Sequence, residues 1–361
     1  MLFLHFPDRT SRGKYAFHLF QISSATDTMS SEHDPSSRPA KRQKTSSDEP
    51  STSSFERDPS FWFEDGSIIL ISNQRTGFRV HLGVLSLNAE FFRDMSGLAV
   101  PDAKGDTMID LEDSTQDLTH FLHALYTRSY FCAGTPTSYD TLESLLRMST
   151  KYLAQQLRSD VIKHLTMIYP SELADLGKHT DLILPHSDLH SLHAITMGRE
   201  HNVPIILPAA YYYASTLPTT ELIANAKPDI LAMILAGREN IVVAAYNVAW
   251  SWLYQECRGS SMCPNVKRCY RKRLGVIKEI AKSPGTVHCL LLDAMPHDGE
   301  GERDDDDFSG YYSDDSDEES FCRPCLLDWS SDEDESYKQL WHCLPSYFDL
   351  PEWKVLLKGR E

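Results

Sequence analysis

The stretch from Phe61 to Met95, FWFEDGSIILISNQRTGFRVHLGVLSLNAEFFRDM, constrains the fold more than any other part of the chain. Ile68 to Ile71 form a β-branched run, NQRTG reads as a polar turn ending in glycine, and Phe78, Val80 and His81 form a second strand-like run, so together they predict a β-hairpin. From Leu82 the period changes. Leu82, Leu85, Phe92 and Met95 recur at helical spacing, with Asn88 placed to cap a second helix. Thr107 to Leu111 alternates like a strand. Leu118, Phe121, Leu122, Leu125 and Tyr126 form a helical stripe behind a capping Ser114, with Asp117 in the first turn where its charge suits the helix dipole. Strands and helices in this order predict an α/β core built on a small sheet.

These residues also resemble a known family. Asp65 before a hydrophobic strand, Phe78-x-x-His81-x-x-x-Leu85, a helix closed by Phe92, and FLHALYT from Phe121 to Thr127 are similar to the BTB/POZ pattern. Leu82 and Ala89 depart from it, standing where the family favours a base and a serine. The resemblance is closer to the fungal, mushroom-type BTB proteins. It spans FWFEDG at 61–66, VHLGVLS at 80–86, RMSTKY at 147–152 and the ending from Trp341 to Trp353. It implies a BTB core over residues 59–170, followed by an all-α C-terminal domain. In dimeric members of the family, an Asp matching Asp65 and a base near Arg79 line a charged pocket at the dimer interface. By that resemblance Phe61, Trp62, Asp65, Arg79, Leu82 and Leu85 are the expected interface residues, with the Leu82 to Leu87 helix supplying the apolar face.

Charge and composition bound the rest. The net charge of −17 is concentrated between residues 293 and 335, where eighteen acidic residues face only Arg303 and Arg323. The remainder is close to neutral, so the total implies no nucleic-acid footprint. The basic cluster Lys267, Arg268, Arg271, Lys272 and Arg273 reads as a solvated helix face. No apolar run suggests a membrane span, and MLFLHFPDR is too short an apolar start for a secretory signal. Eight cysteines without such a signal argue for reduced thiols inside the cell.

Residues 1–58 are expected to be a disordered arm, Ser, Pro, Asp and Lys dominating it from Met29 onward. Within it Lys41, Arg42 and Lys44 fit a nuclear-import signal, which places the protein in the nucleus, the cytoplasm or both. Residues 171–297 read as a helical domain with prolines at helix starts and breaks, and the apolar helix from Pro228 to Cys257 is expected at its centre. Residues 298–320 read as an acidic disordered insertion. The aromatic segment 321–361 is expected to pack back on the helical domain.

No G-x-S-x-G, P-loop, H-E-x-x-H or complete G-x-G-x-x-G motif occurs. The chain is therefore expected to have no catalytic or cofactor-binding residues. One metal reading stays open. Cys322-Arg323-Pro324-Cys325 has the spacing that lets two thiolates share one tetrahedral Zn²⁺, and Cys263 and Cys269 foremost, with Cys257, Cys289, His288, His342 and Cys343 as alternatives, could supply the other pair. Against it stands the reading of cysteine as a small buried hydrophobe. The expected function is protein–protein interaction: a BTB-mediated homodimer, or an adaptor joining a cullin scaffold to substrate proteins held by the helical region. The alternative is a nuclear, transcription-linked scaffold with no DNA reader of its own.

Overall fold

The computed structural model describes residues 55–95, 107–249, 262–282 and 321–358. Its first part is a four-stranded mixed sheet in the order β1-β3-β2-β4, with β1 at Glu56–Trp62, β2 at Ile68–Ile71, β3 at Thr76–Val80 and β4 at Thr107–Asp110. β2 and β3 form the hairpin, antiparallel with Ile68 opposite Val80 and Ile71 opposite Gly77. β1 joins β3 and β4 joins β2, both in parallel. All four β2 side chains are buried, as suits a central strand covered on both faces.

The hairpin turn differs from the glycine-ended one the sequence suggests. Arg75 adopts the left-handed conformation at φ 64°, and its N–H donates to the Ser72 carbonyl at 2.9 Å. Gly77 lies inside β3, where a Cβ would fall 2.3 Å from the Phe55 ring. Glycine is needed there for close approach, not for turning.

Two short helices follow, α1 (Leu82–Asn88) and α2 (Glu90–Met95). Asn88 does not cap α2. It ends α1, and its side-chain amide donates to the Val84 carbonyl at 2.8 Å. α3 (Thr115–Tyr126) begins as its sequence predicts, with Ser114 Oγ accepting from the Asp117 N–H at 3.0 Å, a cap worth about 1 kcal/mol. The Asp117 carboxylate is buried against Arg147, 2.8 Å away. Phe61, Leu70, Phe78, Leu85, Phe92, Phe121 and Tyr152 close the core between sheet and helices.

α4 (Tyr139–Lys151) and α5 (Gln155–Ile168) come next. In α4, Met148 points into the sheet's core, while Leu142, Leu145 and Leu146 belong to a second core that continues to Leu356. The boundary expected at residue 170 therefore falls within continuous packing, because α4 serves both cores.

Apart from a short parallel pair that joins Thr137–Ser138 to Ile183–Leu184, which departs from the expected all-α domain, the rest is helical: α6 (His190–Glu200), α7 (Leu207–Thr216), α8 (Thr219–Asn225), α9 (Pro228–Ala244), α10 (Val266–Lys282), α11 (Arg323–Tyr347) and α12 (Trp353–Lys358). The most enclosed of these is α7, not the helix beginning at Pro228. α7 buries Leu207 to Tyr212 without interruption, then Ala214 and Ser215. α9 buries only Ile230, Ile234, Gly237 and Ile241 and leaves Leu235 and Val243 exposed. Alanines let neighbouring helices approach α7 closely, and its tyrosines fill the space between them. α9 runs into a π-turn at Ala245–Ala249, and the expected helical residues 250–257 lie outside the described residues. So do the acidic insertion and nearly all of the N-terminal arm.

The aromatic tail packs on this helical core through Trp341, Leu344, Phe348, Trp353 and Leu356. Phe348 stacks on Tyr211 with ring centres 5.2 Å apart. Among the described residues, no helix is long and apolar enough to cross a membrane.

Candidate functional site

Two groups of side chains stand out. The first joins the residues that carried the sequence pattern around β3 and α3. The backbone N–H of His81 donates to the Tyr126 hydroxyl at 2.8 Å, and that hydroxyl lies 3.1 Å from His81 Nδ1. On the other side of the ring, His81 Nε2 sits 3.2 Å from the Asp65 carboxylate. One proton arrangement satisfies all three contacts: Tyr126 O–H donates to Nδ1, and Nε2–H donates to Asp65. The bond from His81 holds the Asp65 carboxyl below its usual range. Burial raises the Tyr126 hydroxyl, so the hydroxyl keeps the proton it donates. Phe63 stacks on Tyr126 at 5.3 Å and covers the node.

Around this node the expected interface residues divide. Phe61 is 2% exposed and Leu85 0%. Both are used in the chain's own core, with Phe61 set edge-on to His123 at 4.7 Å. They cannot also face a partner. Trp62 and Leu82 are half-buried, and the Arg57 guanidinium lies over the Trp62 ring at 4.5 Å. Arg79 donates from Nε to the Gly66 carbonyl at 3.1 Å, so it fixes the turn ahead of β2, while the short contact of Asp65 is with His81. Leu87, in the helix expected to meet a partner, is 84% exposed at the end of α1, and the sequence reading missed Phe91, 41% exposed at the start of α2. A stripe drawn from Leu82 and Leu85 points inward. Leu87, two residues on from Leu85, lies on the opposite face.

The second group is made of thiols. Cys263, Cys269, Cys322 and Cys325 come together with all four sulfurs within 4.8 Å of one another. Cys263 Sγ is 3.7 Å from Cys269 Sγ and 3.6 Å from Cys322 Sγ, the latter 59 residues away in sequence. Cys269 and Cys322 are buried, Cys263 and Cys325 half-buried. Cys269 sits in the first turn of α10, whose start is capped by Asn265 Oδ1 accepting from the Arg268 N–H at 3.1 Å. Cys322 is the residue preceding α11, and Cys325 lies in its first turn. Cys343, another sequence candidate for this set, lies near the far end of α11, and Cys132 lies in the loop after α3. Neither joins the group. Four soft sulfur donors at this spacing are suited to one tetrahedral metal ion.

A groove of about 370 Å³ opens between α4, α6 and the start of α9, lined by Tyr139, Asp140, Glu143, His193 and Lys227 among others. Glu143 is paired with Arg147 at 3.1 Å, and His193 is exposed. Asp140 and Lys227 are exposed as well, whereas Tyr139 is buried. Lys41, Arg42 and Lys44 lie outside the described residues. No family model matches the chain, and no curated protein sequence matches it.

Proposed function

We propose that the chain is a non-catalytic protein-interaction module whose α/β part is of the BTB/POZ type and whose helical part extends it. The observation that carries this reading is the His81 node. Asp65, His81 and Tyr126 are the polar members of three separate sequence motifs, and they meet in a single hydrogen-bonded contact. The mixed sheet with α1 and α2 on one side and α3 to α5 following accords with the same reading. The assembling surface is then formed by Trp62, Leu82, Leu87 and Phe91, with the Asp65 and Arg79 charges beside it. Self-association is the primary mode, and bridging a cullin scaffold to a substrate protein is the use such a dimer would serve.

Analytical ultracentrifugation of the purified full chain tests this. A concentration-dependent dimer in the wild type, converted to monomer by Leu87→Asp with unchanged circular dichroism, is the expected result. A wild type that stays monomeric up to high concentration removes the self-association reading. Titration with a cullin N-terminal domain separates the adaptor role, which requires saturable binding that Leu87→Asp or Phe91→Asp weakens. Phe92 is unsuitable for such a test, being 0% exposed in the core.

A further inference from the structure

We infer that Cys263, Cys269, Cys322 and Cys325 form a closed structural Zn²⁺ site that clamps the start of α11 to the start of α10. The inference is independent of the interaction-module reading. In a zinc–tetrathiolate centre the Zn–S bonds are about 2.3 Å, which puts the sulfurs at the corners of a tetrahedron with edges of about 3.8 Å. The measured edges of 3.7 and 3.6 Å, with every pair inside 4.8 Å, are those of such a cage before its small final adjustment.

Four neutral thiols used only as apolar filling have no reason to converge. Cysteines in a core are dispersed among carbon side chains, whereas here four of the six cysteines among the described residues meet, drawn from distant parts of the sequence.

The surroundings suit the charge. One Zn²⁺ with four thiolates carries two net negative charges. Both α10 and α11 begin at the cluster, with Cys269 in the first turn of α10 and Cys322 and Cys325 at the start of α11, so the positive dipole ends of both helices lie beside it. Lys267 and Arg268 stand in the first turn of α10, and Arg323 opens α11. All four corners are filled by protein, so no coordination position is left for water or substrate, and the site's role is structural.

Its location explains what it stabilises. Between Lys282 and Phe321 the sequence is dominated by acidic residues, whose mutual repulsion opposes bringing the two ends together. A metal clip that closes a long chain segment recovers much of that loop-closure entropy. The clip thus fixes the beginning of α11, while the aromatic residues near its end bind the helical core.

Elemental analysis of the full chain purified without chelator tests the assignment, with about one zinc per chain expected. The double variant Cys322→Ser with Cys325→Ser should lose the metal, and the control Cys132→Ser with Cys343→Ser should keep it. Chelated wild-type chain reloaded with Co²⁺ should show thiolate-to-cobalt charge transfer and the d–d bands of a tetrahedral site. That readout stands even if the double variant fails to fold. Hydrogen exchange should show the first turns of α10 and α11 losing protection on chelation, with the β-sheet unchanged. A metal-free wild type whose native thiols all react freely, iron in place of zinc, or Co²⁺ spectra lacking thiolate bands would overturn the proposal.

Discussion

The indole N–H of Trp341 donates to the backbone carbonyl of Ser171 at 2.7 Å, joining residues 170 positions apart. The contact ties α11 to the segment that follows α5. It is reinforced on the other side, where Trp353 stacks on Trp341 at 5.8 Å and donates its own N–H to the Trp341 carbonyl at 3.0 Å. Replacing Trp341 with Phe keeps most of the apolar burial and removes the donor. The expected loss is about 1–2 kcal/mol from the missing bond. Trp341→Ala also leaves a cavity and should cost about 3–5 kcal/mol. Urea unfolding of the two variants separates the hydrogen bond from the packing.

Gly237 faces Phe348 across the same interface. A Cβ at Gly237 would lie 2.0 Å from Phe348 Cε1 and 2.2 Å from Cδ1, and the ring is held from behind by its stack on Tyr211. Helix propensity alone favours Gly237→Ala by about 1 kcal/mol. Overpacking costs about 1–3 kcal/mol, and with a ring that cannot retreat it dominates, so the variant should be less stable than the wild type. Adding Phe348→Leu frees space and should make the alanine less harmful than it is alone. A double-mutant cycle by thermal or urea unfolding reads this coupling, and simple additivity would show that the ring is free to move.

These two contacts show where the sequence was legible and where it was not. Ile68 to Ile71 announce a central strand because an unbroken aliphatic run, β-branched at three of its four positions, suits a strand covered on both faces. The Ser114 cap was equally readable, since a serine ahead of an apolar stripe has a local role. α7 was not recognised as the most enclosed helix, because a helix buried all round has no polar face to set its period. Phe61 and Leu85 were read as interface residues when they are core residues: a motif records which residues recur and says nothing of which side they face. For the thiols, the Cys322/Cys325 spacing marked half of a site. Cys263 and Cys269 stood among the sequence's candidates for the other half, and they rather than Cys343 lie beside it because α10 and α11 begin side by side, which is a fact of tertiary packing.

Asp113 is a second place where a polar contact should control stability. It is 8% exposed, accepts from Lys151 Nζ at 2.7 Å and accepts a short hydrogen bond from the Tyr152 hydroxyl. The two donors differ in their dependence on it. Lys151 has a side chain 45% exposed and can turn to water, whereas Tyr152 is 1% exposed and has its ring stacked on Phe92 at 4.9 Å. Asp113→Ala should therefore cost about 1–3 kcal/mol, mainly through the stranded hydroxyl. Combining it with Tyr152→Phe should recover much of that loss, while Lys151→Ala on the wild-type background should cost under about 1 kcal/mol. Chemical denaturation of the three variants and the double variant decides between the partners.

His164 gives the fold a dependence on acid. Its side chain is 0% exposed, and its Nδ1 accepts from the Gly134 N–H at 3.1 Å, a contact that a protonated ring would lose. Burial pushes its pKa below the ordinary 6.5. Above that value the residue is neutral in both the folded and unfolded chain and contributes nothing to the pH dependence. As pH falls below it, the unfolded chain takes up a proton that the folded chain refuses, so stability declines until the folded-state pKa is reached. The limiting slope for one such group is about 1.4 kcal/mol per pH unit. His120 and His201 are depressed by burial in the same direction, so His164→Gln should reduce the slope between pH 7 and pH 5 by up to about one proton's worth without abolishing it. Urea midpoints measured across that range for wild type and variant give the comparison, and an unchanged slope would mean that His164 takes up its proton over the same pH range in the folded chain as in the unfolded one.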